Sequence, residues 1–272
     1  MKRIAKLLAL ALVLAPAVSQ AAVTVKGSDT MVILAQRWAE NYMKKNAGKK
    51  IQVTGGGSGT GIAALINGTT EIATASRGMK SDEKGKVRER YNLLPTETPA
   101  AKDGLAVYVH ESNGVTQLTL AQLRTIYQGD VTNWKAVGGA DAPIVLYSRE
   151  NSSGTYVFFK DNVLKGEDFA ASAQTLPGTA AVVNAVSKEK NGIGYGGAAY
   201  AKGVKELKVV GQDGQGYLPT AGNVASGKYP LWRHLFMYTR GKPSGEAKEF
   251  IDYCLSTEGQ AIVTQVGYYP VK

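Results

Sequence analysis

The sequence predicts an α/β protein of two lobes, each a mainly parallel sheet flanked by helices. Three observations carry this. Short β-rich runs lead through Gly/Ser/Thr turns into helical patterns, an order that builds parallel sheets. The run Leu105-Ala106-Val107-Tyr108-Val109 has the pattern of a buried strand and is followed by a new helical start over Leu118 to Tyr127, which suggests a crossing between lobes. A second crossing is expected near Gly192-Ile193-Gly194-Tyr195, where glycines allow backbone angles that other residues resist. The expected division is a first lobe of residues 23–106 with 198–272, and a second of 107–197.

In chain order, Met1-Lys2-Arg3-Ile4-Ala5-Lys6 leads into an apolar run from Leu7 to Val18 and ends in Ser19-Gln20-Ala21-Ala22. This pattern reads as a secretory signal peptide over residues 1–22, cut after Ala21 or Ala22. The apolar run is well short of the roughly 20 residues that span a bilayer, and no Cys follows it to take a lipid. A periplasmic protein with no stable membrane insertion is therefore expected. Next, Val23-Thr24-Val25 leads through Gly27-Ser28-Asp29-Thr30 into a helix carrying Ile33, Leu34, Trp38 and Tyr42. Ile51-Gln52-Val53 leads through Gly55 to Gly61 into Ile62-Ala63-Ala64-Leu65-Ile66, and Ile144-Val145-Leu146-Tyr147 leads through Ser148 to Gly154 into Thr155-Tyr156-Val157-Phe158-Phe159. Residues 87–99 look like the loosest connection, and the last helix, from about Ser244 to Ser256, is expected to pack back on the first lobe.

Composition narrows the function. Removing Lys2, Arg3 and Lys6 with the signal lowers the formal charge from +10 to +7, which is still basic. Outside the cytoplasm such a surface steers small anions or meets an acidic partner more readily than it binds nucleic acid, although Lys-rich faces also serve solubility alone. The cluster Lys44, Lys45, Lys49 and Lys50 reads as a solvated helix end, and no nucleic-acid partner is expected. Cys254 is the only cysteine, so no intrachain disulfide can form and stability rests on a core.

The chemistry lies in the three strand-to-helix turns. Each can aim unpaired backbone N–H groups at an anion, because the first turn of a helix has donors without partners and a favourable dipole. Hydroxyls add donors, and glycines admit the anion close to the backbone. Arg149 sits within the third turn, four residues before Ser153, and can supply a two-pronged charged hydrogen bond. Alone, each turn would also pass as an ordinary helix cap or loop; the conjunction of three with Arg149 favours an oxyanion site. Other phosphate motifs fail. Gly61 is followed by Ile62-Ala63 where a P-loop needs Lys and Ser or Thr. Gly59-Thr60-Gly61-Ile62-Ala63-Ala64 and Gly192-Ile193-Gly194-Tyr195-Gly196-Gly197 match dinucleotide patterns without the required acidic residue downstream. His110 and His234 are the only histidines, with no metal-binding cluster around them, and neither Ser58 nor Ser153 sits in a nucleophile elbow. No enzyme, metal or cofactor is expected.

The stretches Gly27-Ser28-Asp29-Thr30-Met31, Gly56-Gly57-Ser58-Gly59, Ala75-Ser76-Arg77, Asp103-Gly104, Arg149-Glu150-Asn151-Ser152-Ser153-Gly154-Thr155 and Ile193-Gly194-Tyr195 resemble the PstS-type phosphate-binding proteins of bacterial ABC transporters. Tyr229-Pro230-Leu231 and Ser256-Thr257-Glu258-Gly259-Gln260 add to the resemblance, which covers nearly the whole mature chain. It implies the type II periplasmic binding protein fold, with two hinge strands between lobes that close on ligand. It also implies that Thr30, the Met31 backbone and Ser58 bind from one lobe, and Arg149, Ser153, Gly154 and Thr155 from the other. The implied ligand is inorganic phosphate and the implied partners are the permease subunits of an importer, which a monomer would dock. The same fold could hold sulfate, molybdate or tungstate instead.

One position departs from the better-known branch, which has an Asp where Arg77 stands; that Asp accepts the proton of hydrogen phosphate. Arg77 cannot accept a proton, and resembles a branch with Ser-Arg there. Another carboxylate must then do the work, Asp103 first and Asp29 second, while Arg77 binds the anion or pairs with the acceptor.

Overall fold

The computed structural model describes residues 22–271; the expected signal peptide lies outside them, apart from Ala22. The first half of the chain gives β1 (Val23–Gly27), α1 (Val32–Lys45), β2 (Ile51–Thr54), α2 (Ser58–Asn67), β3 (Ile72–Ala75), α3 (Ser81–Tyr91), the long β4 (Thr96–Val109), β5 (Gln117–Leu118) and α4 (Leu120–Gln128). There follow β6 (Val145–Arg149), α5 (Gly154–Asn162), β7 (Gln174–Leu176), α6 (Gly178–Lys188), β8 (Gly192–Gly197), β9 (Lys205–Val210), β10 (Gly216–Tyr217), α7 (Ala221–Ala225), β11 (Trp232–Thr239), α8 (Gly245–Leu255) and α9 (Thr257–Val266).

The main sheet runs β2-β1-β3-β11-β4-β8-β6-β7, with β9 on the second half of β4 and β5 and β10 on β9. β1 is parallel to β2 and β3, and β6 is parallel to β7 and β8. Between these parallel groups lie the antiparallel strands that join the lobes. β4 pairs with β11 over residues 96–104 and with β8 over residues 105–109. Apolar packing divides at the same place. Leu34, Trp38, Ile72, Ala101, Leu235 and Phe250 share one core cluster, and Leu105, Val107, Leu123, Phe159, Tyr195 and Leu231 share another.

The chain returns later than the glycine pattern suggested. β8 lies inside the second half-sheet, between β4 and β6. Residues 198–231, expected in the first lobe, give Leu207, Val209, Val224, Tyr229 and Leu231 to the second core. The return comes where the Leu105 N–H bonds the Leu231 carbonyl and Trp232 opens β11 opposite Gly104. The β8 glycines serve packing instead: a Cβ at Gly194 would lie 2.6 Å from Val182 Cγ1 and one at Gly196 2.6 Å from Thr179 Cγ2, so they let α6 lie close on the strand.

Three local expectations also shift. Ile33 is an exposed residue, because α1 buries the face of Leu34, Ala35, Trp38, Ala39 and Tyr42. Residues 87–99 are not a loose connection: α3 runs to Tyr91 around the buried Val87, Asn92 caps it in the left-handed region, and β4 starts at Thr96 against Thr239. Beyond the helix at Ser244 to Ser256 a further helix, α9, closes over the first core with Ile262 and Val263.

Candidate anion-binding site

Three helix starts converge on the cleft between the lobes. The turn after β1 becomes a short 3-10 segment, Asp29–Met31, in which Thr30 and Met31 are buried. The turn after β2 ends at α2, whose first residue, Ser58, is fully buried. The turn after β6 ends at α5, capped by Ser153, whose hydroxyl accepts from the Thr155 and Tyr156 amides at 3.2 Å.

These turns meet across the cleft. Thr30 Oγ1 lies 2.9 Å from Thr155 Oγ1, and the Gly59 amide donates to the Ser152 carbonyl at 2.8 Å. Gly57 has φ of +93°, and a Cβ there would stand 2.6 Å from the Ser152 carbonyl oxygen. A Cβ at Gly154 would stand 2.3 Å from Ser58 Oγ. The approach therefore requires glycine on both sides. Ser76, at the end of β3, joins the same corner: its amide donates to Ser58 Oγ at 3.0 Å and the two hydroxyls are 3.4 Å apart.

Arg149 is 1% exposed, and its position is fixed from both lobes. Nε and Nη2 donate to Glu150 at 3.1 and 2.8 Å, Nη1 to Thr179 Oγ1 at 3.0 Å, and Nη2 to Asp29 Oδ2 at 3.1 Å. Burial works to raise the Glu150 carboxyl, but the Arg149 hydrogen bonds and charge outweigh it and leave the group below its ordinary range. The four bonds leave one Nη1–H of the guanidinium for a ligand.

The two candidate proton acceptors differ. Both Asp29 oxygens are committed, Oδ1 to the Gly56 amide at 2.8 Å and Oδ2 to Arg149. Asp103 is 1% exposed, and its Oδ2 takes Arg233 Nε at 3.1 Å and Nη2 at 2.9 Å. Its Oδ1 is buried without a hydrogen-bond partner among the described residues. That free oxygen borders the Thr30 corner, since a Cβ at Gly197 would lie 3.0 Å from it and 3.3 Å from Thr30 Cγ2. Burial pushes the Asp103 carboxyl up, against the opposing Arg233 charge and hydrogen bonds and the Ala198 amide.

The family model of a PBP superfamily domain matches residues 14–258. The phosphate-binding protein PstS of Pseudomonas aeruginosa is 34% identical over 263 residues, covering 90% of this chain and 81% of that protein. The chain belongs to the PstS family. PstS of Bacillus subtilis is also 34% identical, over 91% of this chain and 80% of its own length. Among solved structures, a phosphate ABC transporter substrate-binding protein of Clostridium perfringens with bound phosphate superimposes with TM-score 0.85 at 34% identity, covering 93% of this chain and all of that one. An ABC-type phosphate transport receptor of Vibrio cholerae gives TM-score 0.74 at 29% identity. These PstS relatives are binding proteins of transport systems. Among the described residues no helix is long and apolar enough to cross a membrane.

Thr30, Met31, Ser58, Asp103, Arg149, Ser153, Gly154 and Thr155 thus come together in the PstS fold at one buried cleft. Arg77 is turned elsewhere: its two Nη atoms hold Glu83 at 2.8 and 2.7 Å, and Nη1 also donates to the Gly78 carbonyl. The cation paired with Asp103 is Arg233, whose Nη2 also donates to Thr155 Oγ1 at 2.9 Å. Sequence reasoning missed Arg233, although a signal existed. β11 alternates with Arg233, Leu235 and Met237 on its buried face, and a charge on such a face needs a buried partner.

Proposed function

We propose that the cleft binds inorganic phosphate outside the cytoplasm and that the chain, as a monomer, hands it to the permease subunits of an ABC importer. The observation that carries the choice of ligand is the free Oδ1 of Asp103. The hydroxyls of Thr30, Ser58, Ser153 and Thr155, the amide of Gly154, and the remaining Arg149 N–H are donors suited to the P–O oxygens; the Met31 amide, expected among them, donates instead to the Ser28 carbonyl at 3.0 Å. Asp103 Oδ1 is the one acceptor, and hydrogen phosphate brings the one proton it needs. Sulfate brings none, so its oxygen would face a carboxylate in a dry site; a site built around a ligand O–H penalises the analogue lacking it. The same argument disfavours molybdate and tungstate. Asp29, with both oxygens committed, is the weaker acceptor.

The lobes that close are best taken as residues 23–104 with 232–271, and 105–231, hinged where β4 leaves β11 and where Leu231 leads into β11. The contacts Thr30 to Thr155, Asp29 to Arg149 and Gly59 to Ser152 join these lobes, so a ligand held by both sides favours the closed arrangement. No chemistry is required of the site, and no cofactor. Calorimetric titration of ligand-stripped protein with phosphate and then sulfate tests the reading. One phosphate per chain, bound far more tightly than sulfate, is expected; equal or tighter sulfate binding overturns it.

A further inference from the structure

Next to the phosphate cleft the lobes line a second, open-mouthed cavity of ≈ 390 Å³. Its walls come from Arg77 and Lys80 after β3, from Trp232, Arg233, His234 and Phe236 on β11, and from Val157, Phe158, Asp161 and Asn162 on α5. Phe158, Trp232 and Phe236 make it aromatic. Arg233 is the partition between the two sites: Nη2 is bonded to Asp103 and Thr155, its Cζ stands 5.1 Å from the centre of the Phe158 ring, and Nη1 is buried with no acceptor among the described residues. Arg77 repeats the pattern. Its Nη atoms are held by Glu83 and Gly78, and its Nε is buried with no acceptor among the described residues. The two side chains are 4% and 9% exposed.

A buried charged donor left without an acceptor is costly and uncommon in folded proteins. Here two such donors belong to residues that line one aromatic cavity. The residues that carry the phosphate reading line another part of the cleft, Arg233 apart. We propose that this cavity is a second ligand site, for a small organic monoanion. A carboxylate or sulfonate would accept from Arg77 and Arg233, and a planar apolar body would lie against Phe158, Trp232 and Phe236. Glu83 and Asp103 already balance the two guanidinium charges, and the lining holds one further cation, Lys80, and one further anion, Asp161, so one ligand charge is favoured over two. The volume is at the small end of ligand pockets, which suits a single-ring molecule and excludes a nucleotide. Both lobes line the cavity, so its ligand favours closure and strengthens binding in the cleft, and the cleft ligand does the same in return.

The test is calorimetric titration of phosphate-saturated protein with benzoate, and with benzamide as the uncharged isostere. Saturable benzoate binding is expected, with benzamide at least tenfold weaker. The double variant Arg77→Gln with Glu83→Gln removes one donor without stranding a carboxylate, and should weaken benzoate at least tenfold. Lys80→Ala, an exposed change at the rim, should weaken benzoate severalfold and leave phosphate affinity unchanged, which also certifies the fold. No saturable benzoate binding, equal binding of benzamide, or displacement of benzoate by phosphate overturns the proposal. Were the protein to bind no phosphate, the benzoate titration would still read this cavity by itself, so the two failures are separable.

Discussion

Asp103 and Arg233 are register partners across the β4–β11 ladder, and their side chains close a buried ion pair at 2.9 Å, between residues 1% and 5% exposed. The pair stands where the two lobes join, since β4 takes up β8 in place of β11 two residues later, at Leu105. It holds the carboxylate through Oδ2 and leaves Oδ1 without a side-chain partner among the described residues, while Arg233 Nη2 reaches Thr155 on the opposite lobe. One guanidinium thus orients the Asp103 carboxylate and touches Thr155 across the cleft.

Removing Arg233 should therefore harm both stability and binding. Arg233→Met strands a buried carboxylate, and breaking one partner of a buried pair costs about 3–5 kcal/mol. Urea denaturation is expected to show that loss. The double variant Asp103→Asn with Arg233→Met should lose less than the sum of the single variants; strict additivity would mean that the two groups are not coupled.

Arg149→Lys should leave the fold intact and weaken phosphate. An ammonium cannot hold Glu150, Thr179 and Asp29 together and still present a donor to the ligand. Loss of one charged hydrogen bond, about 1.5–3 kcal/mol, corresponds to an affinity lower by roughly 10- to 150-fold. Calorimetry checks this, and unchanged affinity would remove Arg149 from the site.

Close approach of the lobes can be blocked sterically. Gly154→Ala drives a methyl toward Ser58 Oγ, and Gly57→Ala drives one toward the Ser152 carbonyl in a backbone region that disfavours side chains. Both variants should bind phosphate at least about fivefold more weakly, since a Cβ clash of more than about 1 kcal/mol falls on the closed form. Small-angle scattering in saturating phosphate should show them less compact than the parent protein.

Glu206 gives a pH prediction outside the site. It stands on β9 opposite Tyr108, its Oε1 is buried with no partner among the described residues, and burial pushes its carboxyl up to about 7. A group whose folded value is raised contributes stability that is fully present below its unfolded value of 4.5 and is lost as pH rises through about 7. Glu206→Gln should thus be more stable than the parent at pH 8, by a margin that shrinks to a fraction at pH 5 and closes below 4.5. Urea midpoints at the two pH values check it, and a pH-independent difference would contradict it.

Where the sequence is periodic it is legible. The strand, turn and helix at Val23 to Tyr42, Ile51 to Ile66 and Ile144 to Phe159 stand as read, because alternation and helical spacing are local properties. The hydroxyl and amide donors were legible for the same reason, since each belongs to a helix start. What depends on strand order was not. Whether Gly192 to Tyr195 crosses between lobes or packs under α6 is decided by which strands flank β8. The pairing of Asp103 with Arg233 spans 130 residues and exists only through the β4–β11 register. Arg77 shows the opposite failure, for a local partner six residues on, Glu83, holds it. Glu83 also caps α3 by accepting from the Lys80 amide at 2.8 Å, a double role that spacing alone does not reveal.

The central claim is that Asp103 Oδ1 reads the proton of the ligand, and the ratio of phosphate to sulfate affinity, measured by calorimetry near neutral pH for the parent protein and Asp103→Asn side by side, tests it most directly. The parent is expected to favour phosphate by a factor on the order of 10³ or more. In the variant, which can donate as well as accept at that position, the ratio should collapse toward unity, with sulfate binding gained as phosphate binding is lost. A variant that keeps the parent's ratio, or a parent protein that binds sulfate as well as phosphate, would contradict the account.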